Sequence, residues 1–127
     1  RFAPAMARRG WGRIINVTSQ QAVRAYGNSG AYGVSKAGLG ALTRSQAEAW
    51  SRFGVCCNAI APGVVHTPLT EEVFADPAKA AAAAARTMIG RNGEPADFAG
   101  AAVFLASAAS AAVTGQMIFV DGGFSAG

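Results

Sequence analysis

Three short apolar runs, RIINVT (13–18), VCCNAI (55–60) and MIFV (117–120), are separated by long stretches with helical spacing. Parallel strands cannot be joined by tight turns, so this alternation calls for crossover helices and one parallel sheet covered on both faces. Residues 2–9 read as the end of a helix stopped by Gly10. Residues 19–30, polar and glycine-rich, read as a loop. Residues 31–53 carry Leu39, Leu42 and Trp50 at helical spacing, with Gly54 as the stop. The Ala-rich stretch 70–88 reads as helix with a break at Pro77, and Glu94-Pro95-Ala96-Asp97 opens a further helix reaching about Ser107. In such sheets ligands bind beyond the carboxyl ends of the strands. Ser19, the Pro62-Gly63 turn and the segment after Val120 should therefore share one edge.

Composition removes several function classes. Hydrophobic residues are 51% of the chain and charged residues only 14%, which excludes a disordered polyelectrolyte. The 16 glycines show no three-residue period, which excludes a collagen-like chain. The net charge is +4, but the basic residues are scattered and the densest group is only Arg8, Arg9 and Arg13. A nucleic-acid surface concentrates more charge on one element, so no nucleic-acid partner is expected. Cys56 and Cys57 are neighbours in a strand and point to opposite faces, and His66 is the only histidine, so no metal site is expected. Paired small apolar cysteines fit a reducing, cytoplasmic setting. Residues 98–120 lack charge over a membrane-spanning length, yet Ser107, Ser110, Thr114, Gly115 and Gln116 break them into helix, turn and strand. No membrane partner is expected.

The chemistry lies in Ser19, Tyr32 and Lys36. Tyr32 and Lys36 are four residues apart on the long helix and so share a face. A phenol of pKa about 10 is a poor acid-base catalyst at neutral pH, and an ammonium one turn away stabilises the phenolate. Ser19 ends the first strand, where a hydroxyl can donate to the substrate oxygen that Tyr32 protonates. Each feature alone is common. Their order, followed by a strand closed by Pro62-Gly63 with Thr67 four residues on, is specific.

On these residues the chain resembles the compact branch of the short-chain dehydrogenase/reductase family. The matching segments are GRIINVTS (12–19), AYGVSKAGL (31–39), NAIAPGVVHTPL (58–69), GEPADFAGAAVFLAS (93–107) and VTGQMIFVDGG (113–123). The resemblance implies an α/β Rossmann-like, doubly wound parallel sheet. Residues 1–127 would form the C-terminal half of that single domain, the last three of seven strands with their helices. The glycine-rich phosphate loop, the Asn-Asn-Ala-Gly segment and the family's catalytic asparagine have no counterpart here.

By the same resemblance Ser19 orients the carbonyl, Tyr32 is the proton donor or acceptor, and Lys36 eases its ionisation and binds the nicotinamide ribose. Pro62 and Gly63 would lie against the nicotinamide of NAD or NADP, with the Val65 backbone and the Thr67 hydroxyl on its carboxamide. Asn58 would brace that turn, and His66 would sit at the pocket rim. Residues 65–90 would form the substrate lid, and Gln20, Gln21, Arg24 and Tyr26 would line or cover the pocket.

TPLTEEVFADP is similar to sugar-acid dehydrogenases of the gluconate 5-dehydrogenase kind, which puts a small-molecule sugar acid or polyol first as substrate. A 3-oxoacyl carrier-protein reductase is the alternative. A non-catalytic NAD(P)-binding scaffold would have lost Ser19, Tyr32 or Lys36. An epimerase would carry a longer substrate domain. The family implies a homo-tetramer or dimer, with Gly38, Gly40 and Ala41 admitting a second copy of the long helix and Phe124 at another interface.

Overall fold

The computed structural model describes residues 1–127. In chain order the elements are α1 (Ala3–Arg8), β1 (Gly12–Val17), α2 (Gly30–Trp50), β2 (Val55–Pro62), α3 (Glu71–Phe74), α4 (Pro77–Ala85), α5 (Ala99–Ala106) and β3 (Met117–Val120). The strands form one parallel sheet in the order β1-β2-β3. Gly12 pairs with Val55 at one end of the first ladder, and Ala59 pairs with Met117 in the second.

β2 is central, and every residue of it except Pro62 is buried. Side chains alternate between faces along a strand. Val55 and Cys57 therefore join Ala47 of α2 in the core on one face, with Met6, Ala7, Ile14 and Trp50 packed around them. On the other face, Ile15 and Ile60 look toward Phe98 and Ala102 at and beyond the start of α5. Cys56 and Cys57 are free and buried, and burial raises the Cys57 pKa above its ordinary value, which keeps it an inert thiol.

The expected helix after β1 begins one residue early, at Gly30, and closes in a 3-10 turn over Ser51–Phe53. Gly54 ends it at φ 80°, and a Cβ there would lie 2.1 Å from the Gly10 carbonyl oxygen, so the turn requires glycine. The Ala-rich stretch splits into α3 and α4 at Pro77, where the Asp76 carboxylate caps α4 by accepting from Ala78 N at 2.9 Å. Residues 98–120 fold as helix, turn and strand, and no helix is long and apolar enough to cross a membrane.

Two sequence expectations meet a different geometry. Asn58 does not brace the Pro62-Gly63 turn. Its amide donates to Val113 O at 2.8 Å and its carbonyl accepts from Gln116 N at 3.0 Å, so it ties β2 to the approach to β3. Gly40 faces inward, because a Cβ there would lie 2.6 Å from the Met117 methyl. Gly38 has open space around it.

Candidate active site

β1 runs out at Val17, but Thr18 stays on the sheet by donating both its N–H and its hydroxyl to Ile60 O, at 2.8 and 3.1 Å. Ser19 then sits at the carboxyl end of the strand in extended backbone and starts a 3-10 turn over Gln20–Ala22. Its Oγ accepts from Gln21 N at 3.2 Å. An oxygen that accepts from the backbone keeps its own proton for a ligand.

Tyr32 lies in the first turn of α2 and Lys36 one turn further on. Lys36 Nζ donates to Val17 O at 3.0 Å and lies 5.6 Å from the centre of the Tyr32 ring. One of its three donors is thus fixed to the end of β1. The Tyr32 hydroxyl has no hydrogen-bond partner within the chain.

Ser19, Tyr32 and Lys36 line a single cavity of about 620 Å³ together with Pro62, Val65 and Thr67. Its apolar wall includes Val17, Ile60, Leu69 and Phe98. The turn after β2 is braced from two sides. Thr70 hydroxyl donates to Val65 O, and Thr67 N donates to Thr70 Oγ1 at 3.1 Å. Gly93 N donates to Val64 O at 2.8 Å and His66 N to Gly93 O at 3.2 Å, a short parallel bridge. The Val65 N–H makes no hydrogen bond within the chain.

Gly63 sits beside this cavity and lines a smaller one of about 200 Å³ with Asp121 and Gly122. A Cβ on it would lie 2.9 Å from Asp121 Cα, so the close approach that demands glycine is to the end of β3.

Arg91 and Asp97 were not singled out by sequence reasoning. Arg91 Nη1 and Nη2 donate to Asp97 Oδ2 and Oδ1, each at 2.8 Å, and Glu94 N donates to Oδ2 at 2.8 Å. The Arg91 hydrogen bonds and then the Glu94 amide hold the Asp97 carboxyl well below the usual carboxylate range. This clamp shapes the strand-like segment that bridges to Val65. The available signal was the acidic residue three positions after Glu94, read only as a helix start.

The loop residues Gln21, Arg24 and Tyr26 do not line the cavity that holds Ser19. Gln21 Oε1 accepts from Ser29 Oγ at 2.8 Å. Arg24 donates to Ser125 O and, at 2.8 Å, to Gly127 O. Tyr26 stacks on Phe124 with centroids 5.9 Å apart and accepts from the Gln20 amide. Burial raises the Tyr26 pKa, opposed by the Arg86 charge. His66 stacks on Phe74 at 4.3 Å and borders a separate cavity with Arg91 and Asn92.

The family model described as enoyl-(acyl carrier protein) reductase matches residues 1–125. The chain is 43% identical to 3beta-hydroxysteroid dehydrogenase 1 of Eggerthella lenta over 112 residues, 88% of this chain and 43% of that protein. It superposes on a gluconate 5-dehydrogenase of Burkholderia cenocepacia, solved with NADP and tartrate, with a TM-score of 0.95 and 39% identity. That match covers 98% of this chain and 49% of the other. A short-chain type dehydrogenase/reductase of Mycobacterium ulcerans gives a TM-score of 0.92 at 35% identity, over 98% of this chain and 45% of the other. The chain thus spans less than half the length of each of these relatives.

Proposed function

The chain belongs to the short-chain dehydrogenase/reductase family, and from that premise we propose that it carries the proton-transfer side of an NAD(P)-dependent oxidoreductase interconverting a carbonyl and a secondary alcohol. One observation carries the reading: Ser19, Tyr32 and Lys36, from a strand end and a separate helix, line one cavity with the Pro62–Thr67 turn.

The roles follow from the donors each group has left. Ser19 can donate to the substrate oxygen, since its Oγ already accepts from Gln21 N. Tyr32, whose hydroxyl is otherwise unengaged, gives its proton to that oxygen in reduction or removes it in oxidation. Lys36, anchored on Val17 O, places its positive charge beside the Tyr32 ring.

A nicotinamide cofactor fits the same wall. Pro62, with Gly63 at the border of the cavity, would bound the ring, the free Val65 N–H and the Thr67 hydroxyl would hold its carboxamide, and Tyr32 and Lys36 would reach its ribose. When bound, that group supplies or accepts the hydride. The side chains of Val17, Ile60, Leu69 and Phe98 give the cavity a largely apolar wall.

Small-molecule sugar acids or polyols are the substrate class this reading favours, supported by the likeness to a gluconate 5-dehydrogenase. A second copy of the chain is its natural partner: Val34, Gly38 and Leu42 form a stripe on the open face of α2, with Val34 and Leu42 exposed. A cytoplasmic setting belongs to the same reading, in keeping with the two free cysteines.

The test is Tyr32→Phe in the complete enzyme. Turnover should fall by about 10²-fold or more, the weight of a positioned proton donor, while NAD(P) affinity measured by calorimetry changes little. Undiminished turnover would remove Tyr32 from this role.

A further inference from the structure

The three strand ends meet at one side chain. Gln20, the residue after Ser19, is 2% exposed. Its amide donates to the Tyr26 hydroxyl, and its carboxamide oxygen is buried with no partner. That oxygen lies 3.3 Å from where a Cβ on Gly63 would stand, and the same Cβ would meet Asp121. Gln20 is thus wedged between the end of β1, the turn after β2 and the segment after β3. It does not line the cavity that holds Ser19, so any effect on the reaction passes through its neighbours.

Tyr26 is itself held from the far side. Its ring stacks on Phe124, and the Arg86 guanidinium lies 4.2 Å from the centre of the Phe124 ring and 5.3 Å from that of Tyr26. Phe124 is buried in a segment folded around Asp121, whose carboxylate accepts from Gly123 N at 3.0 Å and Ser125 N at 2.9 Å. Arg24 adds a second link by donating to Ser125 O. The route from Gln20 to Ser19 is short. Gln21 N, the donor to Ser19 Oγ, belongs to the same 3-10 turn as Gln20, and Ala22 N closes that turn on Ser19 O at 2.9 Å.

A buried carboxamide with an unpaired oxygen costs stability, and an apolar group of the same shape in its place can be neutral or stabilising. Packing alone would therefore be served by a methionine. What the carboxamide adds is a directional bond between the turn that starts at Ser19 and the aromatic pair after β3.

We propose that Gln20, anchored on Tyr26, is the positioning residue for Ser19, setting the direction of its hydroxyl relative to the Pro62–Thr67 turn. This rests on the dehydrogenase reading above.

In the complete enzyme, kcat, KM and the urea midpoint are measured with D-gluconate and NADP for the parent, Gln20→Met and Tyr26→Phe, each with and without Ser19→Ala. Both single variants break the same bond and should lower kcat by about tenfold or more, with KM for NADP within about twofold of the parent. The urea midpoint of Gln20→Met should stay level or rise, because the unpaired oxygen is gone. In the Ser19→Ala background neither variant should cost more than about twofold, since the hydroxyl they aim is absent. An equal loss with and without Ser19 overturns the proposal, as does an unchanged kcat or a kcat that falls only in step with the urea midpoint. If Gln20→Met does not fold, Tyr26→Phe decides alone, since it keeps the stacked ring and removes only the hydroxyl. If the parent does not oxidise gluconate, or Ser19→Ala turns over undiminished, the dehydrogenase reading fails on this substrate. Hydrogen exchange at the Gln21 amide then decides the positioning: faster exchange in Tyr26→Phe upholds it, and an unchanged rate overturns it.

Discussion

Ser19 is held by its own hydrogen bond and by that of its neighbour. Its oxygen caps a 3-10 turn through Gln21 N, and the residue before it is pinned to β2 through both donors of Thr18. The hydroxyl oxygen is therefore held by the chain itself, and in the proposed role it would donate with little reorganisation. Ser19→Ala should lower kcat/KM by about 10²–10³-fold, the usual cost of losing one such donor. The Gln21 amide would lose its cap, so circular dichroism of the variant should accompany the kinetics. An intact spectrum with undiminished kcat/KM would remove Ser19 from the reaction. Lys36 is read at the same scale: its bond to Val17 O spans 19 residues of sequence and steers the ammonium toward the end of β1.

At the scale of elements, the geometry depends on how α2 is terminated. Gly54 turns the chain from α2 into β2 at φ 80°, against the Gly10 carbonyl that ends α1. Two helix ends and two strand starts meet there, since Gly12 N donates to Gly54 O at 3.1 Å. Gly54→Ala should destabilise the protein by about 2 kcal/mol or more, combining a left-handed backbone with a steric clash. A urea midpoint that does not move would show that the junction relaxes more freely than this packing allows. The segment from Val65 to Gly90 shows how far local signals reach. Pro77 and Asp76 mark the break between α3 and α4 in the sequence itself, because capping is a short-range interaction. Where Arg86 ends up depends on Phe124, an aromatic brought to it by the sheet.

For the molecule as a whole, the parallel sheet brings three strand ends to one edge, and beyond them lie two separate cavities, one lined by Ser19, Tyr32 and Lys36 and one by Arg24 and Arg86. The Arg91–Asp97 clamp joins the start of α5 to the turn after β2 through Gly93. Asp97 has its folded pKa lowered, so it contributes stability above the unfolded value and loses that contribution as pH falls toward the depressed folded value. The melting temperature of the parent should therefore exceed that of Asp97→Asn at pH 6, and the gap should narrow below about pH 4. A gap that stays constant down to pH 2 would mean that the carboxylate charge does not contribute.

Much of this protein is written in short-range pattern. The alternation of apolar runs with helical stretches determined the parallel α/β sheet, and the four-residue step from Tyr32 to Lys36 determined that they share a helix face. Both follow from the periods of helix and strand, which depend only on neighbours along the chain. Tertiary structure alone decided which groups meet. It drew Arg24 to Ser125 across 101 residues, turned Asn58 toward Val113, set Gly63 against Asp121 and stacked Tyr26 on Phe124. Such contacts come from the register and packing of distant elements, and no local sequence period encodes them.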